Sequence, residues 1–213
     1  MNDIVEQHWN HGPHYQLRDS IIFITWRLAF TLPKHIQDLF KELSEIREKT
    51  DKTEEIELLR RQNQFLYNKF WEYDNALGSS HSSAFSLNSP DISRIVKSAF
   101  HFFDRHKYNL HAYCLMSNHV HIILEPRRIT DDSFYNVSDI IQSLKRYTAI
   151  QINSHLDRKG QLWDDYYFDR IIRDSENYRN VVSYILNNPV KAGLVDDSNK
   201  WKDSYYNPEF IQM

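Results

Sequence analysis

His119 and His121 flank Val120 inside the stretch YCLMSNHVHIILEP, residues 113 to 126. In an extended strand, alternate side chains share a face. Two imidazoles at this spacing can converge on one divalent cation. Such pairs also arise by chance, as a turn residue beside a satisfied core histidine. A second pair adds weight. In SLKRYTAIQIN, Tyr147 and Gln151 stand four residues apart, which puts them on one face of a helix. That face continues through Leu144 and Ile140, so the spacing predicts that it turns toward a sheet. The four groups together would gather two imidazoles, an amide oxygen and a phenol at one point. The chemistry that fits is phosphoryl transfer. A cation held by His119, His121 and Gln151 would polarise a phosphoryl oxygen. Tyr147 would attack phosphorus and form a phosphotyrosine, an ester that keeps the energy of the broken phosphodiester for a later 3′-hydroxyl.

The elements that must position these residues are legible from pattern. SIIFITWRL at 20 to 28 is β-branched and aromatic, and reads as a strand. Residues 34 to 74 are dense in mixed charge with apolar residues at helical spacing, which predicts an inserted helical segment at about 34–77. A Ser-rich loop at 78 to 90 ends in Pro90 and Asp91, the start signal of a helix with Ile92, Ile95, Val96, Ala99, Phe100 and Phe103 on its stripe. Tyr108 to Met116 and Val120 to Leu124 read as a hairpin turning at Ser117, Asn118 and His119. Ser138 to Leu156 reads as a helix. YYFDRII at 166 to 172 reads as a strand. A last helix runs from Ser175 and is expected to stop at Asn188 because Pro189 follows. The order is βαββαβ. The predicted class is α+β: a ferredoxin-like antiparallel sheet with its helices on one face, plus a C-terminal extension at about 174–213, all in one domain spanning 1–213.

Composition narrows the function. The 213 residues include four glycines, and no P-loop or dinucleotide-binding glycine run occurs. The one cysteine, Cys114, excludes a disulfide framework and a Cys-based zinc site. There is no H-E-x-x-H, no nucleophile-elbow serine and no placeable carboxylate pair. The first residues lack a signal-peptide pattern, and no apolar run approaches the ~18 residues of a membrane span. The expectation is a soluble, cytoplasmic protein without a membrane partner. Net charge is −3. From Asp91 to Lys191, 14 Lys or Arg face 12 Asp or Glu. Any nucleic-acid surface must therefore be a local patch. Arg94, Lys97, Arg127, Arg128, Lys145 and Arg146 are its candidates.

At this point the chain resembles a known family. NHVHIIL is similar to the HUH motif, histidine–hydrophobic–histidine, of single-stranded DNA nucleases and transposases. SLKRYTAIQIN resembles their single-tyrosine helix. LWDDYYFDRIIRDSENYRNVVSYILNNPVKAGLV is similar to the C-terminal stretch of REP-associated tyrosine transposases, relatives of small bacterial insertion-sequence transposases, and FITWRLAFTLP resembles their first strand. The resemblance implies a DNA transposition enzyme that cleaves single-stranded DNA at hairpin-forming palindromes. It implies a Mg²⁺ or Mn²⁺ cofactor and a tyrosine linked to a 5′-phosphate. On this sequence it assigns His119, His121 and Gln151 as metal ligands and Tyr147 as nucleophile. The C-terminal helix and NNPVKAGLV would complete the domain without doing chemistry. Two other readings stay open: a non-catalytic module that binds DNA hairpins, and a small metal-dependent phosphoesterase. The oligomeric state, monomer or homodimer, is not legible.

Overall fold

A computed structural model describes residues 4–9, 13–29, 31, 85–131 and 133–210. The helical segment expected at about 34–77 lies outside the described residues. Among the described residues nine strands and three α-helices follow in chain order. They are β1 (Ile4–Trp9), β2 (Pro13–Leu17), β3 (Ile21–Arg27), α1 (Pro90–Phe103), β4 (Tyr108–Leu115), β5 (His119–Pro126), β6 (Arg128–Thr130), β7 (Ser133–Phe134), α2 (Val137–His155), β8 (Phe168–Ile172), α3 (Ser175–Lys191) and β9 (Ser204–Tyr206). The run β3–α1–β4–β5–α2–β8 is the expected βαββαβ order.

β8, β3, β5, β4 and β9 form one five-stranded sheet, in that order. Every pairing in it is antiparallel. The central strands are apolar almost without alternation because both faces of the sheet are covered. On one face Ile22, Ile24 and Trp26 stand opposite Leu124, Ile122 and Val120. Against them pack Ile92, Val96, Ala99 and Phe100 of α1, and Ile140, Ile141, Leu144 and Ile152 of α2. Fully burying a side chain such as Ile22 or Leu144 contributes about 1.5–3 kcal/mol each.

The other face carries Phe23, Ala112, Cys114, Ile123 and Ile172, covered by Tyr178, Val181, Val182, Tyr184 and Ile185 of α3. A β-bulge helps to set this division. The register between β4 and β5 shifts between Leu110 and Ala112, so His111 is the extra residue. Leu110 therefore packs on the α1/α2 side, while Ala112 and Cys114 turn to the α3 side.

α3 departs from expectation at its end. Its start is capped by the Asp174 carboxylate, which accepts from the Asn177 amide at 2.7 Å. It does not stop before Pro189 but runs through it to Lys191. A proline costs least near a helix terminus, where few ladder bonds remain to be broken. Asn188 and Val190 carbonyls are both used by the closing turn, at Ala192 and Gly193. Among the described residues no helix is long and apolar enough to cross a membrane.

Candidate active site

The histidines lie on the α3 side of the sheet. His119 stands opposite Arg27 and His121 opposite Thr25, and both imidazoles are buried. Among the apolar residues of this face they form a polar island, and each ring is held by its Nδ1. His119 Nδ1 meets Asn118 Oδ1 at 2.6 Å. A carbonyl oxygen can only accept, so Nδ1 carries the proton and Nε2 keeps its lone pair. His121 Nδ1 meets the Thr25 hydroxyl at 2.7 Å. The Asn188 amide donates to His121 Nε2 at 3.0 Å, which again leaves the proton of this ring on Nδ1. Phe23 stacks on the His121 ring with centroids 5.8 Å apart.

The two Nε2 atoms are 3.1 Å apart. With these tautomers two lone pairs face each other, an arrangement that a positive charge between them stabilises. Burial pushes His119 down to about 3. Burial, and then the neighbouring His119, push His121 well below its ordinary value. Both rings are thus neutral, the form that ligates metals. Two metal–nitrogen bonds at right angles would separate the nitrogens by about 3 Å in octahedral geometry. The 3.1 Å observed matches that separation. Among the described residues no group of three or more His, Cys, Asp or Glu is placed to hold a metal. The amide of Asn188, beside His121 Nε2 at 3.0 Å, could supply a third protein donor. Turning its amide over would present Oδ1 where Nδ2 now stands. The donor set fits a divalent cation.

α3 brings a second group. The Tyr184 ring lies 6.1 Å from the His121 ring, edge to face, and Tyr184 is 8% exposed. Tyr184, Asn188 and Lys191 are spaced i, i+4, i+7 along one helix stripe. Lys191 Nζ stands over the Tyr184 ring at 4.3 Å from its centroid.

The structure does not bring Tyr147 and Gln151 to the histidines, which corrects the expected site. Both are solvent-facing on α2, and Tyr147 is 49% exposed. The buried stripe of α2 is Ile140, Leu144, Thr148 and Ile152, and it packs on the sheet face opposite the histidines. The two possible stripes diverge after Leu144 by one residue. Thr148 settles the choice, because its hydroxyl accepts from Trp163 Nε1 at 2.8 Å in the core. Ile152 buries where Gln151 could not do so without losing hydration.

Tyr184 and Asn188 were missed. Their signal was present in YILNN: a tyrosine and an amide four apart, the same spacing as Tyr147 and Gln151, before Pro189. The proline was read as a stop, which assigned the asparagines to a helix end.

Most of the basic candidates already have partners within the chain. Arg94 pairs with Asp91 on its own helix at 2.6 Å, and Lys97 with Asp203 at 2.6 Å. Arg128 holds Asp19 with two nitrogens, and Arg127 reaches Asn109 Oδ1 at 3.3 Å. Lys145 turns inward and donates to the carbonyls of Asp164, Asp165 and Tyr166, so it works as a loop clamp. Arg146 is exposed.

Comparison with known proteins places this fold among relatives. Residues 83–188 match the family described as IS200-like transposase. A Haemophilus influenzae protein, provisionally named a REP-associated tyrosine transposase, is 26% identical over 101 residues. That match covers 45% of this chain and 57% of the relative, so the chain spans little more than half of that protein's length. A solved structure of a REP-associated tyrosine transposase bound to a REP hairpin shares the fold. Its TM-score is 0.52 at 16% identity, over 90% of this chain and 79% of that one. Residues 83–188, which contain His119, His121, Tyr184 and Asn188, are thus a segment of the IS200-like transposase type.

Proposed function

We propose that this protein is a metal-dependent single-stranded DNA endonuclease and strand transferase acting at hairpin-forming palindromes, with Tyr184 as its nucleophile. One observation carries the assignment of roles. Tyr184 and Asn188, on a single stripe of α3, stand against His121, whereas Tyr147 lies on the solvent side of another helix. The family match and the hairpin-bound relative support the DNA substrate.

His119, His121 and Asn188 would hold Mg²⁺ or Mn²⁺. When bound, the cation polarises a non-bridging phosphoryl oxygen. The chain's own residues do the rest. Thr25 and Asn118 fix the imidazole tautomers. Phe23 and α3 exclude water around the rings. The Tyr184 oxygen attacks phosphorus, the bond from phosphorus to the 3′ oxygen breaks, and the phenol proton ends on the departing 3′-hydroxyl. The 5′-phosphate stays on tyrosine. A 3′-hydroxyl reverses the step with the same atoms. All the named groups come from one chain, so a monomer can assemble the site. The work belongs in the cytoplasm, where the DNA is.

Covalent capture tests the reading. Labelled single-stranded hairpin DNA from the protein's own genomic surroundings is incubated with Mn²⁺ and run on a denaturing gel. A shifted band is expected, lost with EDTA and in Tyr184→Phe but kept in Tyr147→Phe. A band kept in Tyr184→Phe would overturn the nucleophile. Binding without any adduct would favour the hairpin-binding module. Turnover of a small phosphodiester without an adduct would favour the phosphoesterase.

A further inference from the structure

Lys191 is the last residue of α3. Its side chain is exposed, yet its ammonium covers the ring of the nearly buried Tyr184 at 4.3 Å. Such contacts are ordinary in themselves: Lys107 stands over Phe103 at 4.4 Å. The setting of Lys191 is different because its ring is the phenol beside the histidine pair. Among the described residues no carboxylate pairs with its ammonium, so it is available to an incoming anion. Lys97, Arg94, Arg128 and Lys200 all have such a partner. The α3 stripe therefore grades from the buried amide of Asn188 through the phenol of Tyr184 to an unneutralised cation at the rim.

Resting on the reading of Tyr184 as nucleophile, we infer that Lys191 is the phosphate-binding residue of the site. It holds the scissile phosphodiester against the Tyr184 oxygen and stays on the phosphotyrosine until a 3′-hydroxyl removes it. A phosphate that bonds to the phenol oxygen must come to the edge of the ring that Lys191 covers. An ammonium there meets the charge that builds on the non-bridging oxygens as the new bond forms. The step moves no proton to or from Lys191. The bonds made and broken are the phosphorus–oxygen bonds already described, and no electrons are exchanged with any other group.

A blander role competes. A lysine in the last turn complements the negative end of the helix macrodipole. That role predicts a change in stability and none in the chemical step.

The test uses the full-length protein, a hairpin oligonucleotide and Mn²⁺. Single-turnover adduct formation is followed across DNA concentrations for Lys191→Met, Lys191→Gln and Lys191→Arg. For both neutral variants, the rate at saturating DNA should fall about 10- to 100-fold, while the half-saturating concentration moves less than about threefold. Rejoining by a 3′-hydroxyl should slow as well, because both directions share the transition state. Lys191→Arg should recover most of the rate. Circular dichroism of the two neutral variants checks folding, and a loss confined to one of them is decided by the other. An unchanged saturating rate, a change in DNA affinity alone, or no recovery in Lys191→Arg would overturn the inference. Tyr184→Phe separates the two claims. If it abolishes the adduct while Lys191→Met is normal, only Lys191 is wrong. If it keeps the adduct, the Tyr184 reading fails and the role of Lys191 goes with it.

Discussion

The Asn188 amide meets Nε2 of His121 at 3.0 Å across 67 residues of sequence, and so ties the last helix to the central strand of the sheet. This is the contact through which α3 reaches the histidine pair. Replacing Asn188 by Leu should remove the third donor and weaken Mn²⁺ binding by about 10- to 100-fold. Asn188→Asp should retain binding or tighten it, because a carboxylate is a better ligand for Mn²⁺. Isothermal titration of Mn²⁺ into the DNA-free protein checks both outcomes. Equal affinity in the wild type and Asn188→Leu would remove Asn188 from the ligand set.

Tyr147 and Gln151 should tolerate change. Both lie on the solvent side of α2, where substitutions usually stay within about 0.5 kcal/mol. Tyr147→Phe and Gln151→Ala should leave the midpoint of urea unfolding and the yield of the covalent DNA complex within about twofold of the wild type. Loss of the adduct in either variant would return the site to α2.

Thr25 holds His121 Nδ1 at 2.7 Å, fully buried. Thr25→Val keeps the shape and takes the hydroxyl away from a buried ring nitrogen. Stability should fall by about 1–3 kcal/mol. Mn²⁺ affinity should also fall, because the tautomer of His121 is no longer fixed. Urea unfolding and titration measure the two separately, and a silent substitution would show that the ring is positioned from the α3 side alone.

Lys145 makes the pH dependence of stability informative. Burial pushes its ammonium down from 10.5 to about 8, against the upward pull of Asp164 and Asp165. The folded value lies below the unfolded one, so between these two pH values the unfolded chain binds more protons. Stability from this group therefore rises as pH rises from 8 toward 10.5. Tyr108, Tyr113 and Tyr178 act in the opposite sense. Burial raises all three, so their unfolded phenols ionise first and stability falls above about pH 10. Lys145→Met should abolish the gain between pH 8 and about 10 and leave the alkaline loss in place. Urea midpoints across that range test it, and an identical profile in the variant would show that Lys145 is not desolvated.

Much of this molecule could be read from the sequence, and the failures share one physical origin. Strands β3, β4 and β5 are continuous apolar runs that admit little else, and the alternation within them correctly put His119 and His121 on one face. Which face was not legible. Alternation fixes relative sides of a sheet but does not say which helix covers each side. A tyrosine and an amide four apart occur on two helices here, α2 and α3, and only packing distinguishes them. On α2 the ambiguity could have been resolved, since Ile152 is a better buried residue than Gln151. On α3 the local rule about proline was sound on average and misleading at this position. Near a helix end one missing amide costs little, and burial of Asn188 and Pro189 against the sheet outweighs it.

The division of the site between an early hairpin and a later helix has a consequence for biosynthesis. His119 and His121 emerge from the ribosome well before Tyr184 and Asn188. A nascent chain can therefore lay down the strands with both imidazoles on them and still lack the proposed nucleophile and third ligand. On the proposed reading, the capacity to cut DNA would arrive late, only once α3 has packed over the sheet. A chain truncated before that helix would keep the histidine pair and lack the proposed chemistry.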